Sequence, residues 1–213
     1  MITLTVRKLS KKYGKQIVFR DLTFSTSAGV VGIAGQNGSG KSTLLLCLAG
    51  LLQPTAGTIG WSRYNNDWNG DKLNHELGFA APYLELYEGL SCMENLKFLI
   101  DLNRKPPAVE DIAGYLELFE ADSYLEKNYG ELSTGQRQRV KLAASTLQNP
   151  SILCLDEPGS NLDRKGKQLI LKMVDECRER GTMVLIASNQ KEELSLCDEI
   201  INLDETGKPE PVS

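Results

Sequence analysis

A chain of 213 residues, 41% hydrophobic and 24% charged, is long enough to bury a core and has the composition of an ordinary globular domain. A net charge of -4 gives no electrostatic case for nucleic acid as the main partner. The longest apolar run, residues 44–52, is far short of a membrane span, and no secretion-signal stretch opens the chain, so a cytoplasmic location is expected.

Residues 1–30 alternate apolar and polar positions, with Ile2, Leu4 and Val6 followed by Val18, Leu22 and Phe24; this predicts half-buried antiparallel strands. Residues 30–34 form a short apolar run feeding a glycine-rich loop, as a buried parallel strand does. A helix is predicted from Lys41 to before Gly50, then a turn at 53–57 and a strand at 58–61. The polar stretch 62–71 reads as a hairpin loop, and a further strand is predicted at 77–81. Residues 93–147 read as helices broken at Lys105-Pro106-Pro107 and at Tyr129-Gly130, with Val140, Ala143, Ala144 and Leu147 on one face. A strand at 152–155, a helix burying Leu169, Ile170, Met173, Val174 and Cys177, and strands at 183–187 and 199–203 complete the pattern. Strands alternating with helices predict the α/β class, here as one domain spanning residues 1–213 with a mainly helical insert at about 85–147. Five cysteines (47, 92, 154, 177, 197) are widely spaced, and Cys154 and Cys177 lie in apolar patterns; reduced, buried thiols are expected.

Three segments carry chemistry. Gly35-Gln36-Asn37-Gly38-Ser39-Gly40-Lys41-Ser42 matches G-x-x-x-x-G-K-[ST] without a mismatch. Its glycines let successive backbone N–H groups turn toward phosphate oxygens, and the following helix adds the positive end of its dipole. Lys41 suits the β- and γ-phosphates, Ser42 suits Mg²⁺, and Thr43 follows as a further phosphate contact. Residues 152–155 then deliver Asp156 to the carboxyl end of the sheet, where it can hold Mg²⁺, while Glu157 can orient the water that attacks the γ-phosphate. Between them stands Leu132-Ser133-Thr134-Gly135-Gln136, a helix start that offers a hydroxyl and backbone N–H groups to an anion; a plain helix N-cap is the alternative.

With this segment placed just upstream of the acidic strand, the chain resembles the ATP-binding-cassette (ABC) ATPases, whose signature motif is LSGGQ. The resemblance runs from about Leu9 to Asp204. It implies a P-loop ABC-type fold: a mostly parallel core sheet, an antiparallel β subdomain and a helical insert. It also implies that ATP and Mg²⁺ are bound between two head-to-tail chains, as a homodimer or as a heterodimer with another ABC subunit. Ser133, Gly135 and Gln136 would then meet the γ-phosphate held by the neighbour, and Asp163 would lie in the D-loop facing it. Tyr13 matches the place where the family stacks an aromatic ring on adenine, an interaction of about 1–3 kcal/mol, with a plain core or surface tyrosine as the alternative. An ABC transporter transmembrane subunit is the implied partner, with the chain peripheral on the cytoplasmic face of the membrane.

Two positions depart from the family pattern. Ungapped alignment puts Pro82 where the family carries a glutamine near Mg²⁺, with Glu85 as a possible substitute. Asn189 replaces the switch histidine; it can bond the γ-phosphate but carries no positive charge, so slow or partner-dependent hydrolysis is expected. The lone histidine, His75, precedes a different strand and reads as a surface-turn residue. The amphipathic stretch from Tyr83 to Tyr87 suggests part of a groove for a partner's helix, with packing of the insert as the alternative. The leading function is the ATPase subunit of an ABC transporter; a soluble ABC-type ATPase switch or a low-turnover ATP-binding regulatory module is the alternative.

Overall fold

The alternating pattern resolves into two sheets in the computed structural model, which describes residues 1–64, 66–68, 70–102, 111–203 and 209–211. In chain order the strands are β1 (Ile2–Tyr13), β2 (Gln16–Thr26), β3 (Val30–Ala34), β4 (Ala56–Arg63), β5 (Asn66–Trp68), β6 (Leu77–Ala80), β7 (Ile152–Asp156), β8 (Met183–Ser188), β9 (Glu199–Leu203) and β10 (Pro209–Pro211). The helices are α1 (Lys41–Leu48), α2 (Asp71–His75), α3 (Cys92–Leu102), α4 (Ile112–Glu117), α5 (Thr134–Thr146), α6 (Arg164–Glu179) and α7 (Lys191–Leu194).

The larger sheet runs β10-β9-β3-β8-β7-β6, all parallel except for β10 at one edge. The smaller, antiparallel sheet runs β2-β1-β4-β5. Period-two alternation divides the parallel strands between two cores. Leu153, Leu155, Val184 and Ile186 face a cluster with Val140, Ala143 and the apolar side of α6. Ile152, Cys154, Leu185 and Ala187 face the other cluster, with Leu44, Leu45 and Leu48 of α1 and the inward side chains of β1. The indole N–H of Trp61, a residue only 2% exposed, donates to the Leu48 carbonyl at 2.9 Å and ties the antiparallel sheet to the end of α1.

The strand expected at 58–61 is longer, because β4 pairs with β1 along most of its length and with β5 at its far end. The stretch expected as a plain hairpin loop contains β5. Two short helices, α2 and α7, escape a periodicity argument because neither is long enough to show a period. The break at Tyr129-Gly130 is a 3₁₀ turn whose tyrosine is fully buried; the break at Lys105-Pro106-Pro107 lies outside the described residues. His75 closes α2 and is partly buried rather than sitting in an exposed turn. Among the described residues, no helix is long and apolar enough to cross a membrane.

All five cysteines are free thiols, and four are buried. Burial pushes Cys47, Cys92 and Cys177 up to about 11 and Cys197 up to about 12, and raises Cys154 as well. Alkylation at mildly alkaline pH is therefore expected to leave the folded chain largely unmodified and to label every cysteine after denaturation. Rapid labelling of the native protein, counted by intact mass, would contradict this packing.

Candidate functional site

The glycine-rich loop leaves the carboxyl end of β3, and the acidic pair leaves the carboxyl end of β7, so both reach the same rim of the parallel sheet. Two glycines in the loop tolerate no side chain. A Cβ at Gly35 would come 2.4 Å from the Leu203 carbonyl oxygen, and one at Gly40, where φ is +101°, would come 2.5 Å from Val18. Gly40 is also the N-cap of α1 and supplies no side-chain cap, which leaves the first helical N–H groups open to an anion. Lys41 is 5% exposed, and its ammonium donates to the Gly35 and Gln36 carbonyls at 3.0 Å each. An ammonium has three donors, so one is left for a ligand.

A cleft of about 550 Å³ is lined by Tyr13, Gln16, Asn37, Lys41, Ser42 and Glu157, with Gly38, Gly40 and Thr43 also bordering it. Tyr13 is exposed at its margin, and the Lys11 ammonium lies over one face of the ring, 5.0 Å from the centroid. Glu157 adopts a left-handed φ of 42°, rare for a side-chain-bearing residue, while its N–H donates to the Ala187 carbonyl at 2.8 Å. Such backbone strain persists where surrounding structure enforces it, and it gathers at functional sites.

Asp156 is 1% exposed, and neither of its carboxylate oxygens accepts a hydrogen bond from a described residue. An unpaired buried carboxylate is costly, and a cation is its natural complement. A carboxylate and a serine hydroxyl are hard oxygen donors of the kind that suit Mg²⁺. The Tyr83 phenol is raised by burial first and then by the charge of Asp156. The sequence marked Tyr83 only as the start of the amphipathic stretch 83–87.

Asn189 leaves the end of β8, and its amide N–H donates to the side-chain oxygen of Asn37 at 2.8 Å. The switch position is thus tied to the phosphate loop by a neutral bond between residues 152 positions apart. Glu85 does not reach the Asp156 site. Its carboxylate accepts from the Tyr129 hydroxyl at 2.6 Å and from Lys141 at 3.3 Å. Burial opposes its ionisation, but these two partners hold its carboxyl below the usual range.

The segment 132–136 is anchored by buried Leu132 and opens α5 with a capping box. Gln136 N–H donates to the Ser133 hydroxyl at 3.3 Å, and Ser133 N–H donates to the Gln136 side chain at 3.0 Å. The plain N-cap reading is therefore satisfied locally, while Ser133 and Thr134 remain exposed. None of Ser133, Gly135 and Gln136 lines the cleft that holds the phosphate loop. Gly135 packs against Asn161, so that a Cβ there would lie 3.0 Å from the Asn161 carbonyl oxygen. Gln138 donates to the Pro158 carbonyl at 2.9 Å, and Arg139 pairs with Asp163 at 3.1 Å. Asp163 also caps α6 by accepting from Gly166 at 2.8 Å. Glu193 supports the same loop from behind: it accepts the Gly159 N–H at 2.8 Å, and burial pushes its carboxyl up, partly offset by that bond.

A glycine-rich loop and an acidic strand end on one rim of a parallel sheet, beside an antiparallel sheet and a set of helices, define a P-loop nucleotide-binding cassette. The ABC transporter family model matches residues 19–160, and the chain belongs to that family. It is 33% identical over 206 residues to a putative ABC transporter ATP-binding protein of Pyrococcus furiosus, covering 94% of this chain and 76% of that one. It is 32% identical over 224 residues to a sulfate/thiosulfate import ATP-binding protein of Rhizobium meliloti, covering 97% of this chain and 63% of that one. It spans 60% to 65% of the length of three such curated relatives. The dimeric structure of MJ0796, a bacterial ABC transporter cassette, superposes with a TM-score of 0.83 at 25% identity, over 97% of this chain and 96% of that one.

Proposed function

We propose that this chain binds and hydrolyses ATP as a single cassette with a helical insert at about 85–147, and that two cassettes close around ATP to drive a separate membrane subunit. The observation that carries the proposal is the shared cleft of Tyr13, the phosphate loop and Glu157, next to the unpartnered Asp156. Tyr13 stacks on the base; the loop N–H groups, Lys41 and Thr43 hold the phosphates. Asp156 and Ser42 hold Mg²⁺, which when bound neutralises charge on the β- and γ-phosphates. Glu157 accepts a hydrogen bond from the attacking water and fixes its line of approach. Ser133, Gly135 and Gln136, lying outside their own cleft, serve the ATP of a second cassette, either a copy of this chain or a related one.

A groove of about 500 Å³ supports the membrane-subunit reading. Phe79, Leu84, Leu86, Leu99, Leu102 and Ala144 give it an apolar lining, with exposed Tyr83 and Tyr87 in the same stretch of chain. An amphipathic helix of a transmembrane partner fits this chemistry and would hold the chain at the cytoplasmic face of the membrane.

The purified chain is expected to hydrolyse Mg-ATP slowly and to lose hydrolysis on Lys41→Ala. Asn189→His is expected to raise turnover about tenfold, the difference between a neutral and a charge-assisted hydrogen bond to phosphate. Steady-state phosphate release measures both. A chain that binds no ATP would overturn the proposal, and an unchanged rate in Asn189→His would remove the charge argument.

A further inference from the structure

The turn that carries Glu157 away from β7 has a left-handed φ of 42°, which a side-chain-bearing residue keeps only where its surroundings over-determine it. Four consecutive residues are fixed here. Glu157 N–H donates to the Ala187 carbonyl at 2.8 Å, and Ser160 N–H closes the turn on the Glu157 carbonyl at 3.0 Å. Between them, two side chains from different helices grip the backbone. Gln138 of α5, 1% exposed, donates to the Pro158 carbonyl at 2.9 Å. Glu193 of α7, 6% exposed, accepts the Gly159 N–H at 2.8 Å. A Cβ at position 159 would collide with that carboxylate, so it is glycine that admits it. Burying a polar side chain is costly unless it is paired, and both of these pair with this loop. Neither lines the cleft of the phosphate loop, whereas Glu157 does.

We propose that Gln138 and Glu193 are positioning residues for hydrolysis, acting through the backbone of Pro158 and Gly159 to hold Glu157 at the angle from which its carboxylate meets the attacking water. Loss of either bond frees the turn to relax toward an ordinary φ, which swings the Glu157 side chain away from its line. Asp156 stays in the sheet opposite Ala187, and the phosphate loop lies on another strand end, so nucleotide binding survives the change. The step that suffers is the one that depends on aim. This proposal rests on the reading of Glu157 as the acceptor for the attacking water.

The test uses the full chain and measures single-turnover phosphate release with Mg-ATP, alongside binding of a fluorescent N-methylanthraniloyl ATP. Gln138→Leu and Glu193→Leu are each expected to lower the rate about tenfold, as a small misplacement of a catalytic group does, with affinity kept within about twofold. Glu193→Gln keeps an oxygen for the Gly159 N–H and is expected to recover most of the rate. In a Glu157→Gln chain, neither leucine substitution is expected to slow the residual hydrolysis further, because residues that act as a unit are not additive. A parent-like rate in either leucine variant overturns the proposal. So does a rate loss equally large in the Glu157→Gln chain, or one matched by an equal loss of affinity, either of which marks a merely structural side chain. Should Glu193→Leu fail to fold, Gln138→Leu carries the same comparisons. Undiminished turnover in Glu157→Gln alone overturns the reading of Glu157, and the roles of Gln138 and Glu193 with it.

Discussion

Replacing Glu157 with glutamine is expected to lower ATP turnover by at least about a hundredfold while leaving ATP affinity within about twofold. Glutamine keeps the size and much of the packing of the side chain but is a poorer acceptor for the proton side of an attacking water. The backbone fixes where this side chain leaves the strand. Glu157 stands at φ 42°, pinned through its N–H to Ala187, and its side chain borders the cleft. Because glutamine meets the same backbone strain, folding is expected to be preserved, and the ATP-bound dimer should accumulate in place of product. Single-turnover phosphate release and size-exclusion chromatography with Mg-ATP read the two effects. Turnover near the parent rate would assign the catalytic acceptor to another residue.

The second large effect is expected at the signature. Gly135→Asp places a carboxylate at the opening of α5, where it suits the helix dipole of its own chain. Facing a neighbour's γ-phosphate, the same carboxylate repels, and like charges brought together at an interface cost several kcal/mol. Monomer affinity for ATP is therefore expected to stay within about twofold, whereas ATP-driven dimerisation is lost and turnover falls at least about a hundredfold. The added Cβ meets the Asn161 carbonyl oxygen at 3.0 Å, so thermal melting should accompany the assay to show the fold intact. Undiminished dimerisation, seen by light scattering with Mg-ATP, would show that this segment is only the helix cap its hydrogen bonds already make it.

The parts of the molecule legible in the sequence are those whose physics is local. The phosphate loop, the buried strands at 30–34 and 152–156 and the apolar faces of α5 and α6 each carry their pattern within a few turns of chain. Pro82 and Asn189 were visible as departures, but the contacts they make were not. The bond from Asn189 to Asn37 joins segments far apart in sequence. Glu85, one residue type among many acids in that stretch, gave no sign that Tyr129 and Lys141 would claim it. The helices α2 and α7 were hidden for a different reason: an element of four or five residues completes barely one helical turn.

The contact between Asn189 and Asn37 has a consequence for how the site meets its surroundings. An imidazole changes charge between roughly pH 5 and 8, so a histidine at this point makes the phosphate clasp answer to acidity. Two amides gain and lose no proton across that interval. The Asn189–Asn37 contact therefore holds the phosphate loop by a neutral hydrogen bond that does not itself change with acidity. The Asn189→His chain would acquire an acid sensitivity at this contact that two amides cannot supply.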